Sequence, residues 1–333
     1  MKPSNRAPRI ALALSITLAA ANTMFATRLD AADRPETHTK TSTAQQLFAS
    51  PDEAVETLQA VTQAKDEAGM NKIFGPVFHE LQTGDPVQDA NHAQRFASAM
   101  SQGHKLVPEG SDKIVIEIGT NNWPLPIPLV KTNGQWMFDT AAGKEEIINR
   151  HIGKDELHAI GVCRAYVAAQ QQYLRMSPEL GGKTNYAQRF KSTPGTKDGL
   201  FWQTTGNAPD SPFGPLVAKA QMEGYGPRTG TGTQPFHGYF FRILTRQGRS
   251  TPGGKTDYMR DGNLTEGFAL VAYPAVWDQS GIMTFIVNQD GKIFQRNLGK
   301  DTYRIANRMN EYNPDHNWTL VQDQGVVRAA CEK

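Results

Sequence analysis

The stretch "DELHAIGVCRAYVAAQQQYLRM", residues 155–176, decides how the second half of the chain is interpreted. Apolar residues recur in it at the 3.6-residue period of an α-helix, with Ile160, Cys163 and Val167 in one row. A second apolar row runs beside the first through Val162 and Tyr166. This broad apolar stripe predicts an amphipathic helix whose Cys163 side faces a hydrophobic core.

Strand-like runs follow this helix at residues 238–245, 267–274, 282–289 and 292–298. Each is rich in β-branched and aromatic residues and is bounded by residues typical of turns. One helix followed by consecutive antiparallel strands is the plan of a pilin head, here without the long hydrophobic stem. We therefore predict a pilin-head-like α+β domain over residues 153–333.

Residues 45–152 predict a different unit, in which helices precede a small sheet. Ser50, Pro51 and Glu53 form a capping-box start for a helix over 50–64. Further patterns predict helices at 70–74 and 91–102, a strand at 113–119, an Asn133-Gly134 hairpin, and a helix at 143–153 that Gly153 ends. By analogy this order suggests a cone-shaped domain of the nuclear-transport-factor-2 kind. The predicted fold class is thus α+β with two domains.

The first 32 residues have the pattern of an export signal. Lys2, Arg6 and Arg9 precede an apolar run at 10–21, which is shorter than the about 20 residues that span a bilayer. Residues 33–44 are polar and predict a flexible leader. We expect a periplasmic or secreted protein with no stable membrane span after cleavage; the alternative is that the segment is retained as an anchor.

The composition bounds the function classes. Hydrophobic residues make up 38% and charged residues 20% of 333 residues, which allows a packed core. The formal net charge is +2, and it falls close to neutral once the three basic residues of the signal are removed. Without a dense basic run, a nucleic-acid partner is not expected.

Two cysteines, Cys163 and Cys331, remain for an exported chain. In an oxidising compartment they predict one disulfide that joins the middle of the chain to its end. The alternative is two separate thiols, with Cys163 a small core residue. Because no CxxC motif is present, thioredoxin-like redox chemistry is not expected.

The segment "NQDGK", residues 288–292, resembles a cation-binding loop only at first sight. An EF-hand needs an oxygen ligand at the fifth position and a Glu at the twelfth, whereas Lys292 and Gly299 stand there. Asp290-Gly291 instead predicts a type I′ turn that would pair Val287 with Phe294.

No metal site, cofactor or catalytic residue is predicted. The histidines His151 and His158 are seven residues apart, but Gly153 and a predicted cap at Asp155 would end the helix between them. They are therefore interpreted as surface residues. An HExxH motif, a GxSxG elbow and a Walker loop are all missing from the sequence.

A small-ligand pocket is a further hypothesis, and it depends on the amino-terminal sheet wrapping a cup. Tryptophans flank that sheet, and polar side chains precede it or stand at its edge. The candidate pocket residues are Trp123, Trp136, His79, Asp85 and His104.

Several stretches together resemble the family catalogued as domain of unknown function 2950. They are "GDPVQDA" (84–90), "WPLPIPLV" (123–130), "FDTAAGKEEIINRHIGKDEL" (138–157), "YAQRFKSTPGTKDGLFW" (186–202) and the long stretch 243–299 that contains "MTFIVNQDGKIFQRNLG". The resemblance covers nearly everything from Gln45 to Trp318. It implies an exported bacterial protein and brings no established activity or catalytic residues.

Three functions follow as hypotheses. The first is a non-catalytic binding or envelope-assembly module, whose partner is an envelope protein or a small ligand. The second is an envelope hydrolase with an acid/base site in the amino-terminal cone. The third is an accessory partner of a pilus or secretion system.

Overall fold

The computed structural model describes residues 45–178, 184–204, 210–226 and 234–322. The predicted signal (1–32), the leader (33–44) and Cys331 lie outside these ranges. The described residues belong to one compact unit that begins at Ser42. Helices and strands are mixed within it, which confirms the α+β class.

The helices are α1 (Pro51–Ala64), α2 (Glu67–Phe74), α3 (Pro86–Gln102), α4 (Thr140–Met176), α5 (Gly214–Met222) and α6 (Thr302–Ala306), with 3₁₀ helices at Pro76–Leu81 and Gly299–Asp301. The strands are β1 (His104–Pro108), β2 (Lys113–Ile118), β3 (Trp123–Pro124), β4 (Leu129–Thr132), β5 (Gln135–Phe138), β6 (Tyr239–Leu244), β7 (Arg246–Gln247), β8 (Thr256–Asp257), β9 (Met259–Arg260), β10 (Asn263–Leu264), β11 (Ala269–Pro274), β12 (Met283–Asn288), β13 (Phe294–Asn297), β14 (Glu311–Tyr312) and β15 (Thr319–Leu320).

The first sheet is antiparallel, in the order β1-β2-β4-β5, with β3 paired to β2. Its buried face carries Ile114, Ile116 and Ile118, which alternate with exposed or half-buried residues as a one-sided sheet requires. Helices α1 and α2 supply the rest of this core through Leu58 and Ile73, both fully buried.

A helix cap and a tight turn, both set by residues close together in the chain, shape the amino-terminal half. The Ser50 hydroxyl accepts a hydrogen bond from the Glu53 N–H at 3.1 Å, and the Glu53 carboxylate accepts one from the Ala49 N–H at 2.8 Å. This reciprocal cap confirms the predicted helix start. Asn133 and Gly134 both have positive φ, 52° and 83°, as a type I′ turn demands, so the predicted β4–β5 hairpin is also confirmed.

The second sheet is antiparallel, in the order β15-β13-β12-β11-β6. Every residue of β11 is buried, because α4 and α6 both contact this central strand. Helix α4 packs Cys163, Tyr166 and Tyr173 into the core of this sheet. The predicted apolar stripe over residues 155–176 is confirmed.

The Asp290-Gly291 turn has a different type and register from those predicted. Only Gly291 has a positive φ, 73°, and its N–H donates to the Asn288 carbonyl at 2.9 Å. Ile286, not Val287, pairs with Phe294, so the prediction was wrong by one residue. The Asn288 side chain explains this: its amide oxygen accepts from the Asp290 N–H at 3.2 Å, and this Asx turn favours a type I bend followed by a left-handed glycine.

Helix α4 does not end at Gly153, and that prediction was also wrong. It is one helix of 37 residues that starts at the Asp139 cap and passes Gly153 and Asp155 without a break. Because its first part contacts the amino-terminal half and its second part the carboxy-terminal sheet, α4 connects the two hydrophobic cores. The division into domains at residue 152 stays a prediction.

Two of the three glycines of α4, Gly143 and Gly153, should respond oppositely to replacement by alanine. A Cβ at Gly143 would lie 2.6 Å from Ile127 Cγ1 and 2.7 Å from the Pro126 carbonyl oxygen, whereas a Cβ at Gly153 would meet nothing within 4 Å. We expect Gly143→Ala to lower the free energy of unfolding by about 1–3 kcal/mol. Gly153→Ala should raise it by about 0.5–1 kcal/mol, because alanine is the better helix former. Urea denaturation of both variants measures this, and a gain for Gly143→Ala would contradict the close approach of α4 to residues 126–127.

Candidate functional site

A buried polar cluster lies where α3 and α4 meet the segment before β6. On α3 its side chains are spaced i, i+3 and i+7, and on α4 they are spaced i, i+4 and i+7, so each helix contributes one face. The remaining members come from residues 223–237. This histidine–aspartate cluster consists of Asp85, Gln88, His92, His151, Asp155, His158, Glu223, Tyr225 and His237.

Asp85 organises the cluster from the start of α3. As N-cap residue before Pro86, its Oδ1 accepts from the Val87 N–H at 3.1 Å and the Gln88 N–H at 3.3 Å. Its Oδ2 accepts from the Tyr225 hydroxyl at 2.7 Å and the Gly238 N–H at 3.2 Å. The carboxylate is fully buried, so one side chain both caps α3 and binds Tyr225 and Gly238.

Asp155 faces Asp85 and Gln88 from the middle of α4. Its Oδ1 accepts from Gln88 Nε2 at 2.5 Å, while Oδ2 is buried and has no partner among the described residues. Gly238 (φ 71°) approaches it closely, since a Cβ on Gly238 would lie 2.6 Å from Asp155 Oδ2. Burial raises the pKa of Asp155 to about 7, partly opposed by the Gln88 hydrogen bond.

The four histidines form two pairs. The rings of His92 and His151 stack with centroids 4.7 Å apart, and those of His158 and His237 lie 4.1 Å apart. The Nδ1 atoms of His92, His151 and His158 are buried and have no partner among the described residues. The prediction that His151 and His158 are surface residues was wrong, because it depended on a helix break that does not exist.

Burial is the main cause that lowers the pKa of every one of these histidines. The pKa falls to about 3 for His92 and to about 4 for His151, His158 and His237, with further lowering by neighbouring cationic groups such as Lys154. His237 Nε2 lies 2.8 Å from Glu223 Oε2. Although a carboxylate at this distance favours a charged imidazole, burial and the nearby cations outweigh it. At neutral pH the contact is therefore a hydrogen bond from a neutral ring, and not an ion pair.

Neutralising Asp155 should stabilise the protein at alkaline pH. A group whose folded pKa is raised favours folding below its unfolded pKa of about 4 and loses that contribution as the pH rises toward 7. We expect Asp155→Asn to gain about 1–2 kcal/mol in the free energy of unfolding at pH 8 relative to its effect at pH 5. Urea denaturation at the two pH values measures the difference. If Asp155→Asn changed the free energy of unfolding equally at pH 5 and pH 8, ionisation of Asp155 would not destabilise the folded protein.

The sequence-predicted pocket residues are not brought together. Trp136 is buried in the amino-terminal core, Trp123 is 41% exposed with the Arg150 guanidinium 5.5 Å from its ring centroid, and His79 and His104 are exposed. Among the contacts of the described residues, none joins these four to Asp85. Asp85 alone lies in the cluster.

Sequence reasoning missed most of the cluster. The spacing of Asp85, Gln88 and His92 on one predicted helix was a usable signal, as was that of His151, Asp155 and His158 once the helix is continuous. No local pattern marks Glu223, Tyr225 or His237, because only tertiary contacts bring that loop to the helices.

A cleft of about 480 Å³ lies beside the cluster. We call it the Trp277 cleft. Its walls come from the Pro76–Leu81 helix, α4, the loop after β11, and the residues around the start of α6, and they include Glu80, Lys144, Trp277, Asp278, Gln279, Lys300 and Tyr303.

The loop at 275–281 is shared by the cleft and the cluster. The Ala275 N–H donates to the Gly238 carbonyl at 2.8 Å, and the Ser280 hydroxyl joins both the N–H and the carbonyl of Val276 at 3.1 Å. Ser280 Cβ would lie 2.8 Å from a Cβ placed on Gly238. The loop that forms the cleft wall is thus joined to Gly238, whose N–H also donates to Asp85 of the cluster.

The cluster provides proton-binding groups but little that could attack a substrate. Asp85 is saturated by four donors, Asp155 is fully buried, and the nearby Ser280 hydroxyl is already hydrogen-bonded. Within the described ranges, no three His, Cys, Asp or Glu side chains are grouped so that they could hold a metal ion.

No helix in the part of the chain that the structure describes is both long enough and apolar enough to cross a membrane. Even the 37-residue α4 carries charged residues along its length.

Comparison with known proteins gives one match. A family model described as "Protein of unknown function (DUF2950)" matches residues 45–321, which confirms the predicted resemblance. No curated protein and no solved structure matches the chain significantly. Because the matched segment spans most of its 333 residues, the protein belongs to the DUF2950 family.

Proposed function

We propose that the protein is an exported, non-catalytic binding module of the bacterial envelope that takes a small ligand in the Trp277 cleft. The observation that carries the proposal is the cleft itself: about 480 Å³, within the range of roughly 300–1,000 Å³ typical of small-molecule sites. A second hollow, near Phe213 and Tyr225, has only about 200 Å³.

Binding accounts for the geometry better than catalysis does. The cleft presents side chains of mixed polarity on a loop that is already held by hydrogen bonds, which reduces the entropy lost on binding. The loop is joined to the cluster through Gly238, whose carbonyl accepts from the Ala275 N–H and whose N–H donates to Asp85. We infer that the cluster supports the binding loop.

Export is proposed from residues 1–32, whose basic start and short apolar run have the pattern of a secretion signal. A fusion of these residues to a reporter that is active only outside the cytoplasm tests this. Activity that persists after Lys2, Arg6 and Arg9 are replaced together with the apolar run would contradict it.

A ligand screen followed by thermal denaturation tests the binding proposal. We expect a ligand that raises the midpoint of the full chain but not that of Trp277→Ala. Trp123→Ala is the matched control, because Trp123 is also a partly exposed tryptophan but lies on β3, away from the cleft. Ligands whose effect is equal in both variants would contradict a site in the Trp277 cleft.

A second candidate, an envelope hydrolase, gains some support from Asp155, whose pKa is raised to about 7 by burial. A group poised near neutral pH suits acid/base catalysis. Its site would be the histidine–aspartate cluster, not the amino-terminal cone that the sequence suggested. Hydrolysis of an ester or glycoside that Asp155→Asn abolishes, with the fold retained, would favour this function over binding alone.

We further propose that residues 45–152 resemble a nuclear-transport-factor-2-like cone and residues 153–333 a pilin head. Support comes from helices packed on one small sheet in the first case and from α4 against a consecutive antiparallel sheet in the second. The pilin-head analogy keeps open a role beside a pilus or secretion system.

The Cys163–Cys331 disulfide also stays a prediction. Cys163 is fully buried and has no disulfide partner among the described residues, to which Cys331 does not belong; burial raises the pKa of its thiol to about 12. Alkylation in denaturant, without and with a reductant, followed by mass measurement tests the bridge. Two alkylated cysteines without reductant would exclude it.

A further inference from the structure

Two aromatic side chains give the Trp277 cleft an unusual surface for a site rimmed by charges. Tyr303 is 54% exposed, and the centroid of its ring lies 6.0 Å from the ring centroids of both Phe240 and Tyr273. These contacts hold one edge of the Tyr303 ring in place. Trp277 is partly exposed, and its indole Nε1–H donates to Asn297 Oδ1 at 3.0 Å. Because that N–H is already satisfied, what Trp277 offers a ligand is the face of its ring.

The loop that carries Trp277 is fixed before any ligand arrives. The Asp278 N–H donates to the Gly281 carbonyl at 3.0 Å, and the Gln279 and Ser280 N–H groups donate to the Val276 carbonyl at 3.2 and 2.9 Å. Asp278 has φ 68°, a conformation that L-residues other than Asn and Asp rarely adopt. Strain of this kind is retained where the surrounding structure holds it, and often at ligand sites.

The positive and negative side chains that line the Trp277 cleft are equal in number. Lys144 forms an ion pair with Glu80, and Lys300 is offset by Asp278 on the rim. A site for an anionic ligand would carry an excess of Lys or Arg, and a site for a lipid tail would have no charged rim. Ionic and amide side chains beside aromatic faces instead suit a neutral ligand with many hydroxyls.

We propose that the Trp277 cleft binds a neutral oligosaccharide, an inference that rests on the proposed function. A pyranose ring has an apolar C–H face, which lies against Trp277 or Tyr303, and an edge of hydroxyls. The Lys144–Glu80 pair and the Gln279 amide supply donors and acceptors for that edge. The side chains of the cleft thus match both faces of one ligand class.

Isothermal titration of the full chain with cellohexaose, maltohexaose and chitohexaose tests this, with oligogalacturonate as the anionic probe. We expect at least one neutral oligosaccharide to bind and to change tryptophan fluorescence, and oligogalacturonate not to bind. Trp277→Ala and Tyr303→Ala should each weaken binding by about tenfold or more. Trp123→Ala should leave it unchanged, and Trp277→Phe should retain part of it because a ring remains.

The outcomes separate the two proposals. If no neutral oligosaccharide binds at millimolar concentration, or if Tyr303→Ala and Trp277→Ala leave binding unchanged while both remain folded, the saccharide proposal is overturned. If the wider screen then finds a charged or lipid ligand that depends on Trp277, the binding function stands without the saccharide. If no ligand of any class depends on Trp277, both proposals fail.

Discussion

Replacement of Asp85 by alanine is expected to lower the free energy of unfolding by at least about 3 kcal/mol, because it removes a buried acceptor of four hydrogen bonds, two of them buried and two partly buried. An unpaired buried donor costs about 1–3 kcal/mol, and the backbone N–H of Gly238 is buried. Tyr225 and Gly238 would also lose their link to α3, so the backbone around each of these two residues should loosen. Urea denaturation at pH 7 gives the free energy, and amide hydrogen exchange locates the loosened residues.

Asp139→Ala provides the matched control. Asp139 is also an aspartate N-cap, on α4, but its carboxylate accepts only from the Ala142 N–H at 3.1 Å and lies near solvent. The loss of such a cap costs about 1 kcal/mol. If the two variants lose the same amount of unfolding free energy, Asp85 acts only as a helix cap and its bonds to Tyr225 and Gly238 add no stability.

Acidification from pH 6.5 to pH 4 is expected to destabilise the protein by on the order of 1–2 kcal/mol per pH unit. The histidines have folded pKa values of about 3 to 4 against 6.5 unfolded, so in this window the unfolded state binds more protons. Their contribution to stability is complete above pH 6.5 and is lost as the pH falls toward 4.

Asp155 and Asp89 act in the opposite direction. Burial raises the pKa of both carboxyl groups, so the folded state holds their protons more firmly as the pH falls. Because the four histidines outnumber these two aspartates, unfolding still takes up protons overall, and each proton taken up corresponds to about 1.4 kcal/mol per pH unit. The expected slope allows for the partial exposure of the imidazole rings.

Paired variants identify the groups responsible. His92→Phe combined with His151→Phe keeps two stacked rings but removes two titrating groups, so the dependence of stability on pH should become clearly shallower. His104→Phe, at an exposed position on β1, should keep the wild-type slope. A slope unchanged by the double substitution would show that the acid sensitivity originates elsewhere.

The accuracy of the predictions made from the sequence depends on how far apart in the chain the interacting residues lie. The Asn133-Gly134 hairpin was predicted at the correct position, because two adjacent residues that readily adopt positive φ decide it. The Asp290-Gly291 turn was predicted one residue out of register, because the Asn288 side chain selected a different bend from the same kind of signal. Both turns are local, and they differ by a single side-chain hydrogen bond.

In helix α4, contacts between distant residues overrode a local signal. A glycine in a helix costs about 1 kcal/mol relative to alanine, so Gly153 followed by the capping residue Asp155 was a reasonable place to end it. The structure offsets this cost by packing the helix on two cores and by engaging the Asp155 carboxylate with Gln88 instead of with the backbone. The error concealed the candidate site, because His151, Asp155 and His158 share a face only if the helix is continuous.

By itself, the sequence determined the α+β class, the central helical stripe, most of the strands of four or more residues and the family, since periodicity and turn residues act over a few neighbours. Only the tertiary structure decided that α3, α4, Glu223, Tyr225 and His237 form one histidine–aspartate cluster, and that the loop at 275–281 forms a cleft wall. These contacts join residues up to 153 positions apart. Burial then sets their pKa values, and burial belongs to the whole fold and not to any segment of the chain.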